Sequence, residues 1–502
     1  MAAPAHASLQ ARVSPVMSHV RIRSMLPLLC LVALSCLGGA RPRAAKDPAA
    51  LRYNLTYVRE PAPALDVEVV LVRGAPRTFR FTRPGGVDSI SAYREDGERL
   101  DVPVRDGLVQ LPRDIRFLRY RYALEPRRRG HGSDLFAGSA EDDAWHLAGR
   151  TYLIRPNLAP PDLRVELAVE GIDALLPWQP DDKGLYHLRA EDLVDSGFHA
   201  FGGRRCQVVL QEAVLEVAVL GHFTHLDDAR VCHWLKRTAE EVLTVRRAFP
   251  YPRITVRVIP VPGRDGPGLF GMVLWSSPPS ISLLVGQDAT EASFERDWVA
   301  LHEMLHLAHP AILPRVPWLS EGLATYLTEM AQVRSGRQSA QRAWGELVDG
   351  FARGRDVAQA RTMKEVVADS DFSPGTYWTG ALFALHLDVE IRRVTGNRRH
   401  LEDVLEWLAA RGSTSTFGAF GVAVDEVAGQ PLFDALLARH LERPAFVEQE
   451  GLLQALGVTA GADGIQLVPA RDSALREALE SRGCNPRAGS CVSDASAIHR
   501  HP

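Results

Sequence analysis

Short runs of alternating apolar and polar residues occupy the chain from about residue 50 to residue 220. Examples are residues 65–72 (LDVEVVLV), 163–169 (LRVELAV) and 215–220 (LEVAVL), and clusters of Pro, Gly and Asp separate such runs. A period of two is typical of half-buried β-strands, and these clusters are typical of the turns between them. The pattern predicts a β-rich N-terminal domain over residues 50–225, built as a β-sandwich or a similar module.

The period changes after residue 226. Residues 227–249 have the spacing of an amphipathic helix, residues 253–260 (RITVRVIP) are a predicted strand, and helical spacing dominates from residue 288 to about 441. We therefore expect an α+β protein with a β-rich part first and a helical part last. The predicted divisions after the β-rich domain are a mixed domain at 226–345, a helical subdomain at 346–460 and a weakly patterned C-terminal tail at 461–502.

Length and composition agree with several folded domains. The chain has 502 residues, of which 46% are hydrophobic and 24% are charged, and this length favours more than one hydrophobic core. The formal net charge is −3. This balance gives no sign of a basic surface for a polyanion, so we expect no nucleic-acid partner.

The first 45 residues are predicted to be a targeting segment. Arg21 and Arg23 precede an apolar run at 25–37, and small residues at 38–40 suit a signal peptidase. The run has 13 residues, which is short of the roughly 20 that span a bilayer as a helix. Cys36 is an alternative lipid-anchor site, and Met17 or Met25 is an alternative start. We expect an exported protein that is periplasmic, extracellular or lipid-anchored at the cell envelope.

Four cysteines remain after the targeting segment, and they permit three pairings. Proximity in sequence favours Cys206 with Cys232 and Cys484 with Cys491, and an oxidising compartment favours disulfides. Free buried thiols are the alternative. No Cys-x-x-Cys spacing indicates a cysteine zinc site.

Residues 302–306 have the sequence His-Glu-Met-Leu-His. Two histidines four residues apart lie on one face of a helix, about one turn from each other, so both imidazoles can bind one ion. His302 and His306 are therefore candidate metal ligands. Glu303 between them is the candidate general base, because a carboxylate beside a metal-bound water can take its proton.

The helix that carries these histidines is predicted to begin near Asp288, which has capping-box spacing to Glu291, and to end before Pro310. His309 lies seven residues after His302. That spacing is about 10 Å along the helix axis, so one ion does not reach both rings. A catalytic zinc ion needs three protein ligands and an open position, and the third ligand must come from another element.

A second predicted helix at residues 318–330 (WLSEGLATYLTEM) supplies that ligand. Glu321 projects from a different side than the apolar face and completes a set of two imidazoles and one carboxylate. Glu329 and Asp388 are alternatives for this ligand, and Asp388 is alternatively an acceptor for the second N–H of a ligand imidazole. Gly322 would let this helix approach the histidine helix closely.

Residues 302–306 (HEMLH) followed by 318–324 (WLSEGLA) are similar to the gluzincin metallopeptidases. Residues 377–382 (YWTGAL), 387–392 (LDVEIR) and 401–405 (LEDVL) resemble the glycyl aminopeptidase family of that clan. The resemblance extends over most of residues 50–460. It implies a thermolysin-like zinc catalytic domain at 226–345.

The resemblance also implies roles for particular residues. One zinc ion per chain would be held by His302, His306 and Glu321, with Glu303 as general base. Tyr377 would donate a hydrogen bond to the oxyanion. The implied function is hydrolysis of peptide bonds by a metal-activated water, with a peptide or protein as the substrate.

Two positions depart from the family pattern. Thr379 stands where the family has Lys, and residues 271–274 (GMVL) stand where it has Gly-Leu-Glu-His. The Glu of that segment binds the free amino group of the substrate, and Val273 cannot pair with an ammonium. Exopeptidase and endopeptidase action therefore both stay open. A zinc-stabilised but inactive peptide-binding or envelope scaffold protein is the alternative function, although such a protein would not need Glu303.

Overall fold

The structure is a computed structural model that describes residues 50–481 except for 73, 82–86, 125–137, 141–143, 370–372 and 462–463. The predicted targeting segment at 1–45, including Cys36, lies outside the described residues. Cys484 and Cys491 lie outside them as well. Among the described helices, none combines the length and the apolar character that a membrane span requires.

The N-terminal region consists mainly of strands. In chain order they are β1 (Leu51–Val58), β2 (Ala64–Leu71), β3 (Thr78–Arg80), β4 (Val87–Arg94), β5 (Arg99–Asp101), β6 (Leu108–Gln110), β7 (Ile115–Ala123), β8 (Gly138–Ala140), β9 (Ala144–Ala148), β10 (Arg155–Pro156), β11 (Arg164–Glu170), β12 (Ala174–Leu175), β13 (Tyr186–Arg189) and β14 (Phe198–Phe201). A short helix α1 (Gly149–Tyr152) and a 3-10 turn (Ala190–Leu193) interrupt them. The predicted β-rich N-terminal region is confirmed.

Three sheets organise these strands. The largest has the order β13-β11-β1-β2-β7-β4-β5, and β1 and β11 are its parallel pair. The smaller sheets have the orders β10-β3-β6 and β12-β14-β9-β8. Alternate residues of β1, such as Leu51 and Leu55, are buried in one core with Phe79 of β3 and Val109 of β6. The alternation in the sequence therefore buries one face of the seven-stranded sheet against the β10-β3-β6 sheet.

A five-stranded sheet begins the second half of the fold. Its strands are β15 (Arg204–Leu210), β16 (Ala213–Val219), β17 (Arg253–Val261), β18 (Phe270–Leu274) and β19 (Ser280–Gly286), in the spatial order β15-β16-β17-β19-β18. The inner pairs are parallel, and β18 is an antiparallel edge strand. β15 and β16 precede the expected boundary at residue 225 and still join this sheet, because alternation marks a strand but not the sheet that it enters.

Helices dominate the remaining described residues. They are α2 (Asp228–Val242), α3 (Glu291–Phe294), α4 (Val299–His306), α5 (Pro317–Arg334), α6 (Ala340–Ala358), α7 (Met363–Asp369), α8 (Pro374–Thr395), α9 (Leu401–Ala409), α10 (Phe417–Ala428), α11 (Phe433–Leu441), α12 (Gln449–Leu456) and α13 (Ser473–Glu480). Two small strand pairs accompany them: β20 (Ala311–Ile312) with β21 (Thr414–Ser415), and β22 (Val458–Gly461) with β23 (Gly464–Leu467). The α+β class is confirmed.

Part of the predicted C-terminal tail is folded onto the helices. Arg334 Nε of α5 donates to the Leu479 carbonyl oxygen of α13 at 2.8 Å, and Trp344 Nε1 donates to Glu480 at 2.7 Å. The predicted disulfide between Cys206 of β15 and Cys232 of α2 is confirmed.

The predicted histidine helix that starts near Asp288 is wrong in its first half. The chain forms the short helix α3, leaves the helical path, and starts again as α4. The reason is Asp297, whose carboxylate accepts hydrogen bonds of 3.2 Å from the backbone N–H groups of Val299 and Ala300. Because the Asp297 carboxylate accepts from these two N–H groups, they need no carbonyl acceptors from a preceding helical turn, and a new helix begins here.

Gly322 allows a close helix contact, but with a different partner than expected. A Cβ atom on Gly322 would lie 2.2 Å from the carbonyl carbon of Gly380 on α8, and a Cβ on Gly380 would lie 1.9 Å from the Trp318 carbonyl oxygen. Two glycines thus bring α5 and α8 into backbone contact, because neither carries a side chain to separate them. The expected role of Gly322 toward the histidine helix is corrected to a role toward α8.

Candidate metal centre

The structure brings the three predicted ligands together. His302 and His306 lie one turn apart on α4, with ring centroids 4.7 Å from each other. Glu321 enters from α5, and its Oε2 lies 3.1 Å from His302 Nε2 and 3.3 Å from His306 Nε2. One ligand atom of each side chain lies within 4.8 Å of the others, and in the described part of the chain this is the one such group of His, Cys, Asp or Glu side chains.

The surroundings of these side chains are nearly closed to solvent. His302 is 3% exposed and His306 is 6% exposed. Burial lowers the pKa of His302 to about 4, so its ring is a neutral donor of an electron pair. Burial alone would raise the pKa of Glu321, but the two imidazoles outweigh it and hold this pKa well below its usual range. The cluster therefore presents two ring nitrogens and one carboxylate to a common point.

The alternative acidic ligands are engaged elsewhere. Glu329 accepts hydrogen bonds from Trp298 Nε1 at 2.9 Å and from Gln338 Nε2 at 2.8 Å. Asp388 accepts from the Tyr326 hydroxyl at 2.8 Å, and from Arg392 and the Leu401 backbone at 3.0 Å each. Asp388 therefore stabilises the contacts between α5, α8 and α9, and it is not bonded to a ligand imidazole.

Glu303 lies against the edge strand β18. A Cβ atom on Gly271 would lie 2.3 Å from Glu303 Cγ, so only glycine leaves room for this side chain. Its carboxylate accepts a hydrogen bond from the Val273 backbone N–H. Burial raises the pKa of Glu303 to about 8, and the proximity of His306 lowers it in part. The candidate base thus lies between the metal ligands and the open edge of the sheet.

Tyr377, near the start of α8, also lies at this cluster. Its ring is 6.1 Å from the His302 ring, centroid to centroid, with 24° between the planes. Burial, the charges of Glu321 and Glu303, and a hydrogen bond to Glu321 raise the pKa of its hydroxyl well above the usual value, so the group stays protonated. The contact between Gly322 and Gly380 places α8 close enough for this arrangement.

The side of the cluster next to His302 is aromatic. The Trp298 ring stacks on the His302 ring at 4.3 Å with 23° between the planes, and the Trp298 indole N–H is held by Glu329. His302 Nδ1 is buried and makes no hydrogen bond to the described residues. Trp298 lies four residues before His302, and the helical spacing predicted it only as part of an apolar stripe, with no role beside the candidate ligands.

The side of the cluster next to His306 is polar. His306 Nδ1 lies 3.2 Å from Ser320 Oγ, which lies 3.2 Å from His309 Nε2. His309 Nδ1 lies 2.8 Å from the Pro310 carbonyl oxygen, and burial lowers the pKa of His309 to about 4. His309 lies outside the cluster of candidate ligands. The helix spacing alone does not indicate its bond to Ser320.

The donor set suits zinc. Zinc binds imidazole nitrogen and carboxylate oxygen in tetrahedral sites, and three protein ligands leave a fourth position for water or substrate. His302, His306 and Glu321 supply three such ligands from two helices. The candidate base and Tyr377 flank this group, which is the arrangement that metal-assisted hydrolysis requires.

Comparisons with known proteins bear on the fold. The structure is similar to an aminopeptidase N family protein from Idiomarina loihiensis, with a TM-score of 0.62, 17% sequence identity, and coverage of 82% of this chain and 78% of that one. Weaker similarities include an M1 zinc metallopeptidase from Deinococcus radiodurans (TM-score 0.43, 18% identity, 77% and 91% covered) and yeast LTA4 hydrolase (0.42, 11%, 80% and 71%).

The first of these similarities shows that the chain shares the mixed multi-domain fold of an aminopeptidase N family protein. No protein-family model and no curated protein sequence matches the chain.

Proposed function

We propose that this protein is a zinc-dependent peptidase. The observation that carries the proposal is the meeting of His302, His306 and Glu321 at one point, with Glu303 beside them. A binding protein that used zinc only for stability would need the three ligands alone. A buried carboxylate beside the candidate ligands whose pKa is affected by no Lys or Arg, placed against the edge strand β18, favours an enzyme.

Zinc, when bound by these three side chains, would supply a Lewis acid that polarises a carbonyl and lowers the pKa of water. The residues fit that ion because both ring nitrogens and the carboxylate oxygen face one point. Burial strengthens every interaction between the charges there, since little water screens them. We propose one zinc ion per chain.

Glu303 is proposed as the general base. It would take the proton of the attacking water and return it to the nitrogen of the leaving amine. Burial keeps this carboxyl largely neutral below its pKa of about 8. A divalent cation close by favours the ionised form, so zinc binding would itself prepare the base.

Tyr377 is proposed to stabilise the developing oxyanion. Its hydroxyl remains protonated because burial and two neighbouring carboxyl groups oppose ionisation. A phenol held in this way donates a hydrogen bond without rearrangement during the reaction, which is the source of electrostatic preorganisation. Its bond to Glu321 would exchange for a bond to substrate.

The substrate is proposed to be an extended peptide that lies along β18. This strand pairs with β19 on one side and lies at the edge of its sheet, and an extended peptide can add to such an edge as a further strand. Residues 270–274 (FGMVL) carry no charged side chain. An acidic group that would select a free amino terminus is therefore missing from this strand, and we propose that the enzyme also cleaves peptides with blocked amino termini.

We further propose that the protein works outside the cytoplasm, through export by the targeting segment at 1–45 or tethering at Cys36. The disulfide between Cys206 and Cys232 supports this location, because structural disulfides persist in oxidising compartments.

The proposal is tested with the wild type, Glu303→Gln and Glu291→Gln. The last is a matched control, since Glu291 lies on α3 with its side chain 69% exposed. Each protein is assayed for bound metal and for cleavage of a mixed library of synthetic peptides. We expect about one zinc per chain in all three, and a loss of about 100- to 10,000-fold in cleavage for Glu303→Gln alone.

Two results would contradict the proposal. A wild type that binds no zinc would remove the metal centre. A wild type that binds zinc but cleaves no peptide would favour the binding or scaffold protein. Peptides with free and acetylated amino termini, compared in the same library, decide between exo- and endopeptidase action.

A further inference from the structure

The polar side of the metal centre contains a directional chain of hydrogen bonds. It begins at the Pro310 carbonyl oxygen, which can only accept. His309 Nδ1 lies 2.8 Å away and must therefore carry the proton. The ring is 2% exposed, and its two nitrogens lie next to a carbonyl and a hydroxyl rather than a carboxylate, so a second proton would be buried without a counter-charge and His309 Nε2 is an acceptor.

The next link follows from the first. Ser320 Oγ lies 3.2 Å from His309 Nε2, and its hydroxyl donates to that unprotonated nitrogen. Its single proton is then used, so Ser320 faces His306 with an oxygen lone pair. His306 Nδ1, 3.2 Å from Ser320 Oγ, completes the chain as a donor. This places one proton of His306 on Nδ1, so Nε2, which faces Glu321 at 3.3 Å, is the nitrogen that a metal ion can bind.

The opposite direction would prevent metal binding. If Ser320 donated to His306 Nδ1, the proton of a neutral His306 would lie on Nε2, where it would pair with the Glu321 carboxylate at 3.3 Å and block the electron pair that a metal ion needs. His309 would then have to donate through Nε2 as well as Nδ1. That requires a charged ring in a buried position without an acidic partner at hydrogen-bonding distance among the described residues. Only the first direction keeps His309 neutral and leaves His306 Nε2 available to a metal ion.

We propose that Ser320 and His309 are positioning residues that fix the tautomer and orientation of His306, so that its Nε2 is ready to bind a metal ion. This inference rests on the proposed function, which identifies the ion as zinc. Ser320 precedes Glu321 on α5, so one helix supplies both a metal ligand and the group that orients another ligand. His302 has no such partner, since its Nδ1 makes no hydrogen bond to the described residues.

The test measures zinc affinity of the metal-free protein by competition with a fluorescent chelator. Ser320→Ala and His309→Leu break the chain, whereas Ser320→Thr keeps a hydroxyl and His309→Gln keeps an acceptor. Ser335→Ala is the matched control, because Ser335 lies at the other end of α5. The melting temperature of each metal-free variant identifies any that fail to fold.

We expect Ser320→Ala and His309→Leu each to weaken zinc binding by about 10- to 100-fold, the range found for the outer partners of metal-binding histidines. The double variant should lose no more than either single variant, because both changes break one chain. Ser320→Thr, His309→Gln and Ser335→Ala should bind close to wild type. Rescue by the conservative variants separates positioning from a general loss of packing.

Equal zinc affinity of all folded variants would overturn the inference and leave the proposed function standing. The expected order of affinities without cleavage of any peptide by the wild type would support the inference and contradict the proposed function. A wild type without zinc affinity would overturn both.

Discussion

The two imidazoles of the metal centre come from the same helix but are held by opposite means. His302 is stacked between aromatic rings, with Trp298 at 4.3 Å and Tyr377 at 6.1 Å, and its Nδ1 has no hydrogen bond to the described residues. His306 is bonded through Nδ1 to Ser320. Stacking restrains the plane of a ring but not the position of its proton, whereas a hydrogen bond sets both.

This difference indicates separate functions for the aromatic side of the cluster, next to His302, and the polar side, next to His306. The aromatic side contains Tyr377, whose hydroxyl is available to a substrate after it leaves Glu321. The polar side contains groups that reach the metal site only through His306. We therefore expect changes on the aromatic side to affect turnover, and changes on the polar side to affect metal affinity. Helix α5 carries Ser320 of the polar side, and α8 carries Tyr377 of the aromatic side.

Among the substitutions that test the difference between the two sides, Tyr377→Phe should have the largest effect, and that effect is on kcat. Loss of the hydroxyl removes the proposed oxyanion donor, and a decrease in kcat of about 100- to 1000-fold is expected. Zinc affinity should fall less than in Ser320→Ala, because Tyr377 is not a ligand and its hydrogen bond to Glu321 is the one that a bond to substrate would replace. Tyr93→Phe is the matched control, since Tyr93 stacks on Phe117 in the N-terminal sheet. A fall in zinc affinity equal to that of Ser320→Ala would erase the distinction between the two sides.

A smaller effect is expected from Gly380→Ala, which should lower the stability of the packing between α5 and α8. The added Cβ would meet the Trp318 carbonyl oxygen at 1.9 Å, so α5 and α8 must separate. Overpacking of this kind costs about 1–3 kcal/mol in the free energy of unfolding, measured by urea denaturation.

Gly451→Ala is the control for that substitution. Gly451 lies in α12 with no atom within 4 Å of the added Cβ, so its replacement should be neutral or slightly stabilising. Equal stability of Gly380→Ala and wild type would show that the glycine contact does not set the distance between the helices.

The sequence predicted those features that depend on local spacing. Residues 302–306 give two candidate ligands on one helix face, and the candidate ligand Glu321 follows on the next helix. The strands of the N-terminal region follow from alternation. Each of these patterns repeats with the period of its own element, so it is visible without knowledge of the rest of the chain.

Features that depend on contacts between distant segments were missed or misplaced. The contact of Gly322 with Gly380 joins two helices that are distant in the sequence, and no periodicity indicates it. Asp297 restarts the histidine helix, where the expected cap was Asp288. The bond between Ser320 and His309 forms only because α5 packs against α4. Such features follow from the tertiary fold, which a single sequence does not display.

The central claim is that one zinc ion is bound by His302, His306 and Glu321. Crystals of the zinc-loaded protein, measured at the zinc absorption edge, test it most directly. We predict one strong anomalous peak about 2.0–2.2 Å from His302 Nε2, His306 Nε2 and a Glu321 carboxylate oxygen. A peak at another group of side chains, or a Glu321 carboxylate turned away from the ion, would contradict the account.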